Sequence, residues 1–98
     1  MEVRNMVSPR SGREVANQFI IISKHGIVFQ SYNSTIVELD GINETITVHK
    51  DWDYSTTTGK YRNQFMREYG FDEMATKRGF EHYMNLGAIG NYKIVKAF

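Results

Sequence analysis

Apolar and polar positions alternate through the first half of this chain and then change period. Glu2–Val7 has weak strand character. Ser8–Arg13 (SPRSGR) follows with turn chemistry: Pro fixes φ, Gly permits positive φ and Ser bonds its own backbone. Val15–Ser23 (VANQFIIIS) ends in β-branched residues and reads as a strand. Lys24-His25-Gly26 is a tight turn into Ile27–Tyr32 (IVFQSY), where Ile27, Phe29 and Ser31 share one face and Val28, Gln30 and Tyr32 the other. Strands so closely joined predict an antiparallel hairpin. Asn33 and Ser34 interrupt, Thr35–Leu39 (TIVEL) resumes, and Asp40-Gly41, extended by Ile42-Asn43-Glu44, turns the chain again. In Thr45–His49 (TITVH), Ile46 and Val48 face one way and Thr45, Thr47 and His49 the other, as in a sheet with one buried and one wet face.

From Thr57 the spacing becomes helical. Tyr61, Phe65 and Tyr69 recur every four residues with Met66 beside them, and Gly70 stands where a helix ends. Asp72 is the expected N-cap of a second helix, with Glu73 in its first turn and a stripe of Thr76, Phe80, Tyr83 and Met84 that stops near Gly87. Gly79 inside that helix either costs about 1 kcal/mol against Ala or marks a close approach. Tyr92–Phe98 (YKIVKAF) reads as a last strand. The expected fold is therefore one α+β domain over residues 1–98: an antiparallel meander of four to six strands with two α-helices packed on one face. Trp52, Tyr61, Phe65, Phe80 and Val48 are the expected core.

Composition narrows this picture. A chain of 98 residues buries roughly 60–65% of its unfolded surface, enough for one core. There is no cysteine, so disulfides, thiol catalysis and Cys-based zinc sites are excluded. The longest apolar run, Phe19–Ile22, is far short of a membrane span, and MEVRNMVSPR has no apolar signal core; a cytosolic protein is expected. The net charge of +1 shows neither the basic excess of a protein living on phosphate contacts nor the acidity of a DNA mimic. Charge is nonetheless segregated. Glu38, Asp40, Glu44, Asp51 and Asp53 face only Lys50 across residues 35–59, whereas residues 60–80 carry Lys60, Arg62, Arg67, Lys77 and Arg78 against Glu68, Asp72 and Glu73. Acidic and basic faces on one small body fit protein recognition better than broad nucleic-acid binding.

The stretch Asp51–Tyr61 (DWDYSTTTGKY) raises the chemical question. Its hydroxyls offer helix caps, Asp51 and Asp53 suit a helix start, and Trp52 and Tyr54 alternate with those acids, so the rings are expected to point inward and staple onto Tyr61 or Phe65. It lacks the first glycine and the spacing of a phosphate loop. A carboxylate pair, Asp51 and Asp53, joined by Asp40 and Glu38, is the only candidate cation site, and a solvated acidic turn explains it better. His25, His49 and His82 have no metal-ligand spacing, and Ser31 and Ser34 no nucleophile elbow. The expectation is a protein without catalytic residues, metal or cofactor. Arg10 and Arg13 around Gly12, together with Lys60 and Arg67 on one helix face, are the candidate partner-binding cations, and Tyr32 is a candidate stacking ring.

Two segments carry a resemblance. VFQSYNSTI (Val28–Ile36) supplies Phe29, Gln30, Ser31, Tyr32, Ser34 and Ile36. WDYSTTTGKYRNQF (Trp52–Phe65) supplies Trp52, Asp53, Tyr54, Ser55, Thr57, Thr58, Lys60 and Tyr61. The pair resembles a family of small uncharacterised proteins encoded by phages and prophages of Gram-positive bacteria; residues 1–26 and 66–98 lie outside the likeness. What it implies is context rather than chemistry. Accessory proteins of such phages act on host machinery, and anti-CRISPR proteins, which occupy a functional surface of a Cas nuclease, fit this size and composition. The expectation is a phage-encoded inhibitor that works in the host bacterial cytoplasm, binding and blocking a type II (Cas9) effector or its guide RNA complex stoichiometrically. The alternative is a nucleic-acid-binding phage accessory protein. An exposed edge strand leaves a homodimer open.

Overall fold

The computed structural model describes all of Met1–Phe98. Seven strands form one sheet: β1 (Glu2–Val7), β2 (Glu14–Ser23), β3 (Gly26–Ser31), β4 (Ser34–Asp40), β5 (Thr45–Val48), β6 (Ala88–Ile89) and β7 (Tyr92–Lys96). Between β5 and β6 lie α1 (Thr56–Glu68), a 3₁₀ turn (Asp72–Met74) and α2 (Lys77–Leu86). Strand order is β1-β2-β3-β4-β5-β7-β6. The first five strands make the expected antiparallel meander. β7 then lies parallel to β5, pairing Ile46 with Ile94, because the helices carry the chain back across the sheet. The α+β class holds, with one strand more than expected: the two-residue β6, too short to show a period, hairpins onto β7.

The predicted facing is observed. Ile20, Phe29, Val37, Ile46, Val48 and Ile94 are buried together with Tyr61, Phe65, Met66, Met74, Phe80 and Met84 of the helical layer. Phe29 stacks on Phe65 at 5.6 Å, joining β3 to α1. Between Phe29 and Gln30 the register with β4 slips, leaving Ile36 as an extra residue and allowing both Ile36 and Val37 to be buried. The same bulge re-aims the end of the hairpin, so that Ser31 faces Ser34 across its two-residue tip, Tyr32-Asn33. No helix is long and apolar enough to cross a membrane.

Both helices are capped by a hydroxyl accepting from the third helical amide. Ser55 takes the Thr58 N–H at 3.1 Å, as expected. In α2 the cap is Thr76, which takes Gly79 N–H at 3.0 Å; Asp72, the expected cap, instead opens the 3₁₀ turn. The three-residue turn brings Met74 and Ala75 into the core before α2 begins, and one helical period cannot describe both pieces. Gly79 resolves as a close approach: a Cβ there would lie 2.0 Å from the Glu73 carbonyl oxygen. Gly87 ends α2 in the left-handed conformation, φ 84°, as its position predicts.

Candidate functional site at the start of the first helix

The two resemblance segments meet in space at the N-terminus of α1. Ser31 at the end of β3 is buried, and its hydroxyl lies 2.8 Å from that of Thr58. Ser55 donates to Thr58 Oγ1 at 3.2 Å, so the proton of Thr58 is available to Ser31. Ser34 donates to Asp51 at 2.9 Å. These bonds lock the β3–β4 hairpin tip to the helix start and leave a cleft of about 510 Å³ between them, lined by Ser31, Tyr32, Asn33, Ser34, Ile36, Tyr54, Ser55, Thr57 and Thr58. Its rings are open to solvent: Tyr32 is 44% and Tyr54 69% exposed. Tyr54 therefore overturns the expectation that both aromatics of DWDY point inward.

Trp52 does turn inward, half-buried, but it stacks on Phe80 of α2 at 5.5 Å rather than stapling onto Tyr61 or Phe65. The reason is Arg62. Its side chain is fully buried, with the guanidinium carbon 5.5 Å from the Trp52 ring and 4.9 Å from that of Phe80. Nη1 donates to the Trp52 carbonyl at 2.7 Å and reaches Asp53 at 3.5 Å, and Nη2 donates to Asn63 at 2.9 Å. Asp53 also pairs with Lys77 at 2.9 Å. So Asp53 does not point away from the fold beside Asp51; it joins both helices. Burial pulls the Arg62 pKa below its ordinary value and Asp53 opposes the pull. A guanidinium starts so high that it stays charged. Arg62 was not among the candidates. Yet Thr58, Arg62, Phe65 and Tyr69 lie on one helical face, and that spacing was the available signal.

A second cleft of about 710 Å³, with no hydrophobic residue in its lining, adjoins the same helix start. Its cations are Lys60, Arg67, Lys77 and the edge of Arg62, against Asp53 as the single acid. Asp53 is committed to Arg62 and Lys77, whereas Lys60 and Arg67 form no ion pair. Ser55 lines both clefts. Pro9 of the β1–β2 turn stands on the rim, and Gln64 ties α1 to that turn by donating to the Val7 carbonyl at 2.7 Å. Arg10 and Arg13 sit exposed on the same turn, outside the cleft lining. The structure therefore brings Lys60 and Arg67 together with Ser55, places Tyr32 with Tyr54 in the neighbouring cleft, and leaves Arg10 and Arg13 at the periphery. Tyr61 is a core residue under Lys60, whose ammonium lies 5.3 Å from the ring.

Elsewhere the titratable groups serve the scaffold. Asp40 accepts from the Asn43 backbone and side chain and from Ile42 N–H, which lowers its carboxyl pKa. It does not join Asp51 and Asp53; no three His, Asp or Glu side chains converge where a metal ion could be held. His49 pairs with Glu38, and His82 stands edge-on to Tyr83 at 4.8 Å. The Gln18 side chain, opposite Ser31 in the ladder, is fully buried with neither polar atom bonded to protein.

A model of a family of unknown function, DUF8033, matches residues 1–82. The chain belongs to that family. The matched span includes both clefts and ends within α2, so β6 and β7 lie outside it. No curated protein and no solved structure matches the chain.

Proposed function

We propose that this member of DUF8033 works by stoichiometric binding, as a phage-encoded inhibitor that occupies a surface of a Cas9-class defence nuclease or its guide RNA complex. The observation that carries the binding mode is the cleft along α1, where Lys60 and Arg67 stand without acidic partners on a helix tied down by Arg62 to Asp53 and by Gln64 to the Val7 carbonyl. Unpaired cations on a rigid element meet an anionic surface without first breaking internal ion pairs. The partner class comes from the resemblance of the FQSYNSTI and WDYSTTTGKY segments to small phage and prophage proteins.

The test is capture of Cas9 with guide RNA by the tagged protein, at low and high salt and after nuclease treatment. The wild type is expected to retain Cas9, and the Lys60→Ala/Arg67→Ala double variant to lose it and its inhibition with an unchanged melting temperature. A fully active double variant would overturn the α1 surface. The second reading, a nucleic-acid-binding accessory protein, is favoured by the absence of hydrophobic residues from that cleft. It predicts recovery of nucleic acid alone, lost steeply as salt rises.

A further inference from the structure

The two clefts at the start of α1 differ in chemistry and meet at Ser55. One offers two exposed phenol rings over a floor of hydroxyls and the Asn33 amide. The other offers the unpaired cations Lys60 and Arg67 and no hydrophobic side chain. An unpaired nucleotide has the same division: a flat base with hydrogen-bonding edges joined to an anionic backbone. We propose that this double cleft binds single-stranded nucleic acid, a base stacking in the Tyr32–Tyr54 cleft and the adjoining phosphates lying along Lys60 and Arg67. The inference rests on the second reading above, nucleic-acid binding through the α1 groove, and specifies the ligand.

Tyr32 is one of three non-glycine residues at positive φ, with Asn17 and Glu44, and the one that lines a cleft with its ring exposed. Its φ is 56°, in the region that favours glycine, and it occupies the first position of a two-residue hairpin tip where glycine is preferred. A bulky residue there carries a conformational cost of about 1–3 kcal/mol. Its ring is not recovering that cost by burial in the core, since the residue is 44% exposed. The strained tip is held by Tyr32 N–H donating to the Asn17 carbonyl at 2.7 Å and by the Gln30 amide donating to the Tyr32 carbonyl at 2.8 Å. With the backbone that carries it fixed, the ring has only side-chain freedom to lose on stacking. Ser34, Ser55 and Thr58 spend their hydroxyl protons inside the protein, which leaves the Asn33 amide and the Thr57 hydroxyl to meet a base edge, so the cleft suits stacking with loose sequence preference. Duplex bases are already stacked and sealed, so a single strand is the form that supplies a free base.

Fluorescence anisotropy of the full chain with short labelled oligothymidylate, and with the same backbone lacking bases, tests this. The variants are Tyr32→Gly, Tyr54→Ser and Lys60→Ala/Arg67→Ala. Tyr32→Gly relieves the backbone, so its melting temperature should hold or rise and a binding loss cannot be charged to misfolding. Expected is a loss of at least about fivefold for each tyrosine variant with an unchanged salt slope. The double cation variant should flatten that slope by about 1.4. The abasic strand should bind the wild type no better than oligothymidylate binds Tyr32→Gly. Equal binding of abasic and base-bearing strands, or full affinity in Tyr32→Gly, would overturn the base cleft while leaving the cationic groove. A wild type that binds neither strand but still captures the nuclease would overturn the nucleic-acid ligand and leave a protein surface as the groove's occupant. Unchanged capture by the cation variant would instead sink the groove reading itself.

Discussion

The starts of the two helices make an informative pair. Ser55 and Thr76 perform the same bond, a hydroxyl accepting from an amide three residues on, at 3.1 and 3.0 Å. Their surroundings are opposite. At α2 the next turn is pressed onto the preceding 3₁₀ turn, with Gly79 against the Glu73 carbonyl. At α1 the start is flanked by two open clefts, and the glycine after the cap, Gly59, faces only Arg62 and Asp53 at ordinary contact distance. One start is sealed by backbone and the other is available to a partner. Identical cap chemistry therefore says nothing about whether a helix end is a site.

The largest test of this contrast is Gly79→Ala. A Cβ placed 2.0 Å from a backbone oxygen forces α2 away from the 3₁₀ turn, and a loss of about 3 kcal/mol is expected in chemical denaturation. Next come the caps. Thr76→Ala should cost about 1 kcal/mol, the value of a single cap. Ser55→Ala should cost more, about 2 kcal/mol, because Ser55 also supports Thr58 and through it buried Ser31. Equal losses would mean that the hydroxyl network adds nothing to the cap. The smallest effect, of opposite sign, belongs to Gly59→Ala. The nearest atom to its Cβ would be Arg62 Nη2 at 3.7 Å, so the helical preference of alanine should prevail and raise stability by about 0.5–1 kcal/mol. A loss there would show that the cleft beside α1 is tighter than the geometry describes.

Much of the fold was legible because it rests on period. The alternation in Ile27–Ser31 and Thr45–Val48 and the spacing of Tyr61, Phe65 and Tyr69 placed strands, helix and most of the core. The misplaced cap at Asp72 and the unexpected β6 are pieces of two or three residues, shorter than the periods that would reveal them. In the site, Ser55 was readable as a cap and Lys60 and Arg67 as one face. For Arg62 the spacing puts the residue on the inner face of α1, but nothing local shows what satisfies its charge there. A buried guanidinium needs a carbonyl, a carboxylate and two rings placed around it; Trp52 and Asp53 come from the turn before α1, and Phe80 from α2.

What the sequence by itself determined is local: which longer segments form strands, where α1 begins and where both helices end, and that no cysteine chemistry is available. These follow from backbone propensity and side-chain period, which act over a few residues. Tertiary structure alone decided that Ser31 meets Thr58, that Arg62 is inside while Lys60 and Arg67 are free, and that Tyr32 and Tyr54 border one cleft. Those outcomes depend on the β4 bulge and on the angle at which α1 crosses the sheet. Contacts of that kind join residues distant in sequence, and no local pattern encodes them.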